Sequence, residues 1–464
     1  MFLLLLCAVA FFVGLGRPPV ERVQEARVLE TAREMRAEGG FLLPRLGDRM
    51  RLEKPPLAYW LAAIGFSAFD RPSALAGRVY SALAASLAVV ALYLFGHAVA
   101  NRRVGLWAAS VLASSRLFLR HGRLAETDML LTAGATIAFM AFVWPASESR
   151  ESAAAPPPTR PGRRLWTLAG WAAVAIAFLA KGPAGLFLPV VSAVVYFASR
   201  RDWRSLRSIF HPAGPLLFVV LVVPWFALVL ARVGFAGAVF WREVEVVAAG
   251  TAHGHGVVYS AFYYLLRVWP DFAPWSLLLP LVVVATWRSF STTLWARVGA
   301  VWAAALFVQL EVVGSRQPHY FLPLIPPLAL LTGGWIAELS PRLVRRFAVA
   351  MVALAIAVSL LWIYVGELRF KPQNFTRAEF AQVAKPLIGK HEVARYGPRD
   401  PVVMFYLERS MPPIGVALRR APVTDPVFLV ETTDKAIPPK NDRGNLLIER
   451  QINEREILRL YRLR

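Results

Sequence analysis

Apolar and polar positions along this chain are sorted into blocks rather than alternating. Apolar runs of about 15 to 25 residues recur as far as about residue 365, the length a helix needs to cross a bilayer. Lipid offers the backbone no hydrogen-bond partner, so such runs, lacking a two-residue period, predict helices rather than a barrel. Spans are expected at about 1–16, 74–98, 104–119, 128–145, 165–180, 183–199, 214–234, 263–286, 297–314, 319–338 and 346–365, about eleven in all. The opening run MFLLLLCAVAFFVGLG has neither a basic leader nor a small-x-small cleavage site, and is read as an uncleaved first span. Pro56 to Phe69 is apolar but short, and fits an interfacial helix.

Two polar blocks break this pattern. Pro18 to Trp60 interleaves acids and bases, and its Val23–Arg36 portion predicts a helix ended by Gly39-Gly40. From about Glu367 onward, short β-like runs at Glu392–Tyr396, Val427–Glu431 and Leu446–Ile448 alternate with helical pieces at Thr376–Ile388 and Pro401–Arg409. That alternation predicts a small α/β domain. The Pro/Ala-rich stretch 147–164 reads as a linker. The fold class expected is therefore an α-helical polytopic membrane protein with an interfacial-helix loop and a C-terminal α/β domain. Its expected domains are 1–366, including the loop 17–72, and 367–464.

Composition agrees: 57% of residues are hydrophobic and only 18% charged, against about 25% charged in soluble domains. The net charge of +22 does not point to nucleic acid. The arginines gather in loops, at Arg102-Arg103, Arg160 to Arg164, Arg200 to Arg207 and Arg342 to Arg346, as cytoplasmic loops facing anionic lipid do. Placing those loops inside puts the polar motifs and the C-terminal segment on the outer side. Cys7 is the only cysteine, which excludes an intrachain disulfide and a cysteine metal site.

The outer-side motifs carry the candidate chemistry. Glu25 lies on the loop helix, where it could face a cleft, although most charges there fit surface ion pairs. Glu53-Lys54-Pro55-Pro56 pins an acid and a base beside stiff backbone. Asp128 follows a turn dense in charge and could cap the next helix. Lys181 stands between two spans, where it could snorkel or meet a phosphate. Arg242 and His255 sit in one later cluster, and Arg316, His319 and Tyr320 in another that opens the tenth span. The His253-Gly254-His255 spacing allows a divalent metal, but the further ligands are missing, so no metal residues are assigned and no cofactor is required.

Together EARVLETAREM (Glu25–Met35), LEKPPLAYWLAAIGF (Leu52–Phe66), GRLAETDMLLT (Gly122–Thr132), LAKGPAGLFLP (Leu179–Pro189) and SRQPHYFLPLIPPLALL (Ser315–Leu331) resemble the lipid A aminoarabinose transferase and protein O-mannosyltransferase superfamily, whose fold is the polytopic GT-C glycosyltransferase fold. The resemblance covers roughly residues 1–365. It implies an enzyme of the bacterial inner membrane that moves a sugar from a polyprenyl-phosphate donor to a lipid, glycan or protein acceptor on the periplasmic side. Membrane lipids are then its surroundings and nucleic acid plays no part. Where the family loop carries Asp-Glu, this chain has Gln24-Glu25, and Arg316 stands where relatives often have lysine. The expected base is Glu25, with Glu53 second, and Asp128 holds the facing loop. Lys54, Lys181, Arg242 and Arg316 would neutralise phosphate, and His255, His319 and Tyr320 would hold the donor. A lipid-linked-sugar flippase or a non-catalytic lipid-binding protein is the alternative, since intramembrane charge marks transport paths too.

Overall fold

A computed structural model of the chain describes residues 1–151, 160–234, 262–312, 316–339, scattered positions between 342 and 357, and 377–420, 425–434, 444–452 and 456–463. Among the described residues eleven α-helices lead through the first half: α1 (Phe2–Cys7), α2 (Val23–Glu38), α3 (Leu57–Ala68), α4 (Ala74–Val99), α5 (Arg102–Ser114), α6 (Arg116–His121), α7 (Thr127–Glu151), α8 (Arg160–Lys181), α9 (Ala184–Ser199), α10 (Trp203–Ile209) and α11 (Ala213–Val233). Among the described residues six helices are long and apolar enough to cross a membrane, or seven if the bent pair Tyr263–Asp271 and Trp275–Ser289 is one span. Phe2–Phe12, Leu57–Ala68 and Ala184–Ser199 are shorter apolar helices.

The expected count of about eleven is not reached among the described residues. Much of the span expected at 346–365 lies outside the described residues. The run expected as one span at 104–119 is two short helices, because Ser115 takes an extended conformation (φ −71°, ψ 130°) between α5 and α6. There the Arg116 backbone N–H leaves the helical ladder and donates to Ala273 O at 2.9 Å.

The chain divides into two compact units. The first, Met1–Val13, Leu52–Ala58 and Tyr80–Leu360, is the helical bundle. Its helices touch through small residues, as helices in lipid do. A Cβ on Gly134 of α7 would come within 2.9 Å of Ala177 Cβ on α8. One on Gly333 would come within 2.3 Å of the Ala108 N atom on α5. Aromatic pairs fill the wider gaps, with Phe139 stacked on Trp302 at 4.4 Å between ring centroids.

The second unit is Gly14–Arg51, Tyr59–Val79 and Leu361–Arg464. Its four-stranded sheet has the order β3-β4-β6-β5, from β3 (Glu392–Tyr396), β4 (Val427–Asp434), β5 (Asn445–Gln451) and β6 (Glu456–Arg462). Only β3–β4 is parallel; β4–β6 and β6–β5 are antiparallel. Phe380, Val393, Met404, Val430, Leu458 and Leu460 share one core. Helix Pro401–Leu407 is capped by Asp400, whose carboxylate accepts from the N–H groups of Val402 and Val403. Strand β6 and helix Ile414–Arg420 were not expected.

The opening polar loop builds on this sheet domain. Helix α2 is ended by Gly39 at φ +72°, left-handed backbone that glycine takes without strain. Glu34 of α2 accepts from the Gly47 N–H at 2.9 Å in the short hairpin of β1 (Arg45–Leu46) and β2 (Arg49–Met50). Asp48 in that turn pairs with Arg399 at 2.7 Å, and the Val20 N–H donates to the Tyr406 hydroxyl at 2.7 Å.

Candidate active site

Three helix ends meet in the membrane unit. Helix α8 ends at Lys181, α7 begins at Thr127, and the span Pro318–Glu338 begins a residue before His319. Lys181 forms an ion pair with Asp128, a carboxylate in the first turn of α7. Its ammonium also lies over the Tyr320 ring, 4.6 Å from the centroid. His319 Nε2 is 3.9 Å from Asp128 Oδ1, and the ring stands edge-on to Tyr320 at 4.7 Å. Lys54, half-buried beside buried Pro55 and Pro56, lies within electrostatic reach of Asp128.

Behind this group lies the turn between α6 and α7. His121, the last residue of α6, has its Nδ1 3.3 Å from Glu126 Oε2, both side chains buried. The His121 and His319 ring centroids are 6.4 Å apart. The turn is held from two sides. Arg123 donates to Ala10 O at 2.9 Å and Val13 O at 2.6 Å, and the Tyr80 hydroxyl donates to Glu126 O at 3.1 Å.

Donor atoms of His121, Glu126 and Asp128 lie within 4.8 Å of one another, a set able to hold a divalent ion. Lys181 already sits on one of those carboxylates, which weighs against a second cation there.

Arg316 lies just upstream of His319. It pairs with Glu311 at 2.6 Å and covers the Tyr264 ring at 5.6 Å. Lys54, Asp128, Lys181, His319 and Tyr320 are thus neighbours, and Arg316 keeps partners of its own. Glu53 is half-buried next to Lys54. Arg242 and His255 lie outside the described residues.

Glu25, expected to face a cleft, is buried against an arginine. It belongs to the second unit, is 1% exposed, and is gripped by Arg78 at 2.7 and 2.9 Å. Arg78 also donates to the carbonyls of Leu15 at 3.0 Å and Pro18 at 2.7 Å. A carboxylate fixed in this way ties the loop entry together. Gln24, exposed beside it, has no ionisable group.

Arg78, His121 and Glu126 were not singled out from the sequence. An arginine five residues into an apolar helix was the available signal for Arg78. His121 and Glu126 stood in a motif read for Asp128 alone.

Elsewhere in the second unit, burial pushes the Glu30 carboxyl up to about 8 despite its two hydrogen bonds with Arg33. Burial also raises Glu34.

The family profile described as dolichyl-phosphate-mannose-protein mannosyltransferase matches residues 1–236. The chain is 26% identical over 335 residues to undecaprenyl phosphate-alpha-4-amino-4-deoxy-L-arabinose arabinosyl transferase 2 of Pseudomonas fluorescens, across 71% of this chain and 58% of that protein. It is 27% identical over 378 residues to the corresponding arabinosyl transferase of Shewanella sediminis, across 79% and 66%. The match thus spans less than two thirds of either relative's length. In fold it is similar to ArnT from Cupriavidus metallidurans bound to undecaprenyl phosphate, with a TM-score of 0.81, 21% identity, and 99% and 97% of the two chains covered. It is more distantly similar to the Archaeoglobus fulgidus oligosaccharyltransferase, with a TM-score of 0.60, 12% identity, and 93% and 69% covered. With its first 236 residues matching that profile, the chain belongs to the dolichyl-phosphate-mannose-protein mannosyltransferase family.

Proposed function

We propose that this chain is an integral membrane glycosyltransferase that moves a sugar from a polyprenyl-phosphate donor to a hydroxyl of a lipid, glycan or protein acceptor. The reaction takes place on the periplasmic side of the bacterial inner membrane. The observation that carries this reading is the Lys181–Asp128–His319–Tyr320 cluster, with Lys54 in reach, at converging helix ends. The arabinosyl transferase relatives and the ArnT fold support it.

In a displacement at the anomeric carbon, negative charge grows on the departing lipid phosphate. Stabilising that charge is the main demand on the protein. Lys181 and Lys54 would do so, with Arg316 as a further cation. Asp128 holds Lys181 in position, and Tyr320 covers the ammonium on one side. The two cations in a partly buried cluster recognise a phosphate better than they would in water. Glu53 is the carboxylate of the reading closest in sequence to Lys54; Glu25 is held by Arg78.

One observation favours lipid transport instead. The pair Tyr263–Asp271 and Trp275–Ser289 is bent by 115°, and broken helices are a transporter feature. Purified protein incubated with radiolabelled polyprenyl-phosphate sugars and crude envelope acceptors separates the readings. Label appearing in the acceptor supports transfer. Donor that changes leaflet in vesicles without transfer supports a flippase. Donor that binds and does neither overturns both.

A further inference from the structure

Helix Tyr263–Asp271 carries Arg267 and Asp271 four residues apart, so the two share one face. Asp271 is fully buried, and Arg267 closes on it as a fork, Nε donating to Oδ2 and Nη2 to Oδ1, both at 2.8 Å. That pair is already complete in charge and geometry. A second arginine nevertheless stands on the same carboxylate. Arg116, the first residue of α6, brings its Nη1 to 3.4 Å from Asp271 Oδ1 and 3.2 Å from the Pro270 carbonyl. Its backbone N–H is fixed on Ala273 O.

Among the described residues no other carboxylate pairs with either arginine, so the cluster carries one positive charge in excess. Both side chains also reach the surface, Arg116 being 47% and Arg267 29% exposed. Arg116 Nε and Nη2 and Arg267 Nη1 donate to no group among the described residues. The surroundings are apolar: Leu265, Leu266 and Trp269 of the same helix, and Leu277 just after it, are exposed. In a polytopic membrane protein such a surface meets hydrocarbon, where an excess cation is costly unless an anion joins it.

We infer that Arg116 and Arg267 hold the phosphate diester of an anionic phospholipid, whose acyl chains lie along Leu265, Leu266, Trp269 and Leu277. Guanidinium groups match phosphate oxygens in shape as well as charge. The single surplus charge of the cluster answers the single charge of a phosphatidylglycerol headgroup. Asp271 keeps the two cations side by side, where alone they would repel. Free phosphate would satisfy the charge but leave the apolar surround uncovered. None of these residues is assigned to sugar transfer, so the inference rests on the membrane fold and stands whether or not a sugar is moved.

The test uses the full chain, delipidated in a nonionic detergent. It is titrated with phosphatidylglycerol or with phosphatidylcholine of the same acyl chains, and bound lipid is counted by native mass spectrometry. Wild type should take up one phosphatidylglycerol about fivefold more tightly than phosphatidylcholine, the gain of one uncompensated basic residue. Arg116→Gln should lose that preference, because it leaves Arg267 paired with Asp271 and removes the surplus charge. Arg116→Lys should keep most of it. Equal affinity of wild type for the two lipids overturns the inference without any variant, and so does a preference that survives in Arg116→Gln. Two competitors establish where the phosphate comes from. Displacement of phosphatidylglycerol by inorganic phosphate at a comparable concentration overturns a lipid site in favour of a small anion. Displacement by a smaller amount of polyprenyl phosphate overturns the phospholipid assignment and gives these arginines to the sugar carrier. Failure of both to displace it, with the preference lost in Arg116→Gln, supports the phospholipid.

Discussion

Lys181 and Asp128 define the site at the scale of single residues. Each is largely buried, and each satisfies the other. Removing one leaves a charge without its partner where water is scarce, so Lys181→Ala should lower kcat/KM for transfer by about 10²–10³-fold. Asp128→Asn should have a smaller effect, because Lys181 keeps its place over Tyr320. Equal transfer by Lys181→Ala and wild type would show that the phosphate is held elsewhere. The Arg78–Glu25 pair belongs to stability instead. Breaking such a buried pair by removing one member costs about 3–5 kcal/mol. Glu25→Gln and Arg78→Met should therefore both lower the denaturation midpoint strongly. A Glu25→Gln variant that stays as stable as wild type but loses transfer would return Glu25 to the chemistry. The sequence could nominate Lys181, Asp128, His319 and Tyr320 because each stands in a short local motif. The partner of Glu25 was not, since Arg78 lies 53 positions away along the chain.

The opening loop and the sheet domain are best understood as elements held by polar contacts. Helix α2 carries Glu30, Arg33 and Glu34 on a buried face rather than a solvated one. Sequence periodicity found the helix but not which face is covered, because one covering element, the helix Pro401–Leu407, lies far along the chain. The consequence is a pH dependence. The Glu30 carboxyl, raised by burial to about 8, keeps its proton in the folded protein over a range where the unfolded chain, near 4.5, has lost it. Stability is therefore fully present below about 4.5 and declines as pH rises through about 8. Glu34, also raised by burial, acts in the same direction. We expect the thermal midpoint in detergent to fall from about pH 5 to about pH 8, and Glu30→Gln to flatten that fall. A midpoint that rises over this range in wild type would show that Glu30 is ionised in its pair with Arg33.

For the whole molecule, hydrophobic blocks were enough to read a polytopic helical membrane protein, because span length is set by bilayer thickness. They were not enough to count spans. A break such as Ser115 is decided by a contact with Ala273, which no local pattern announces. From the arginine distribution we expect the C-terminal segment outside and the loop containing Arg204 inside. With Cys7 replaced by alanine, a cysteine at exposed Lys390 should react with a membrane-impermeant maleimide in intact cells with a permeabilised outer membrane, and one at exposed Arg204 should not. Reaction at Arg204 alone would invert the topology. The most direct measurement is sugar transfer itself. Wild type and Lys181→Ala are given radiolabelled polyprenyl-phosphate sugars, and labelled acceptor and released polyprenyl phosphate are quantified together. We expect both products in equal amounts from wild type and about 10²–10³-fold less from Lys181→Ala. Neither product from wild type, with donor still bound, would contradict a glycosyltransferase site at Lys181 and Asp128.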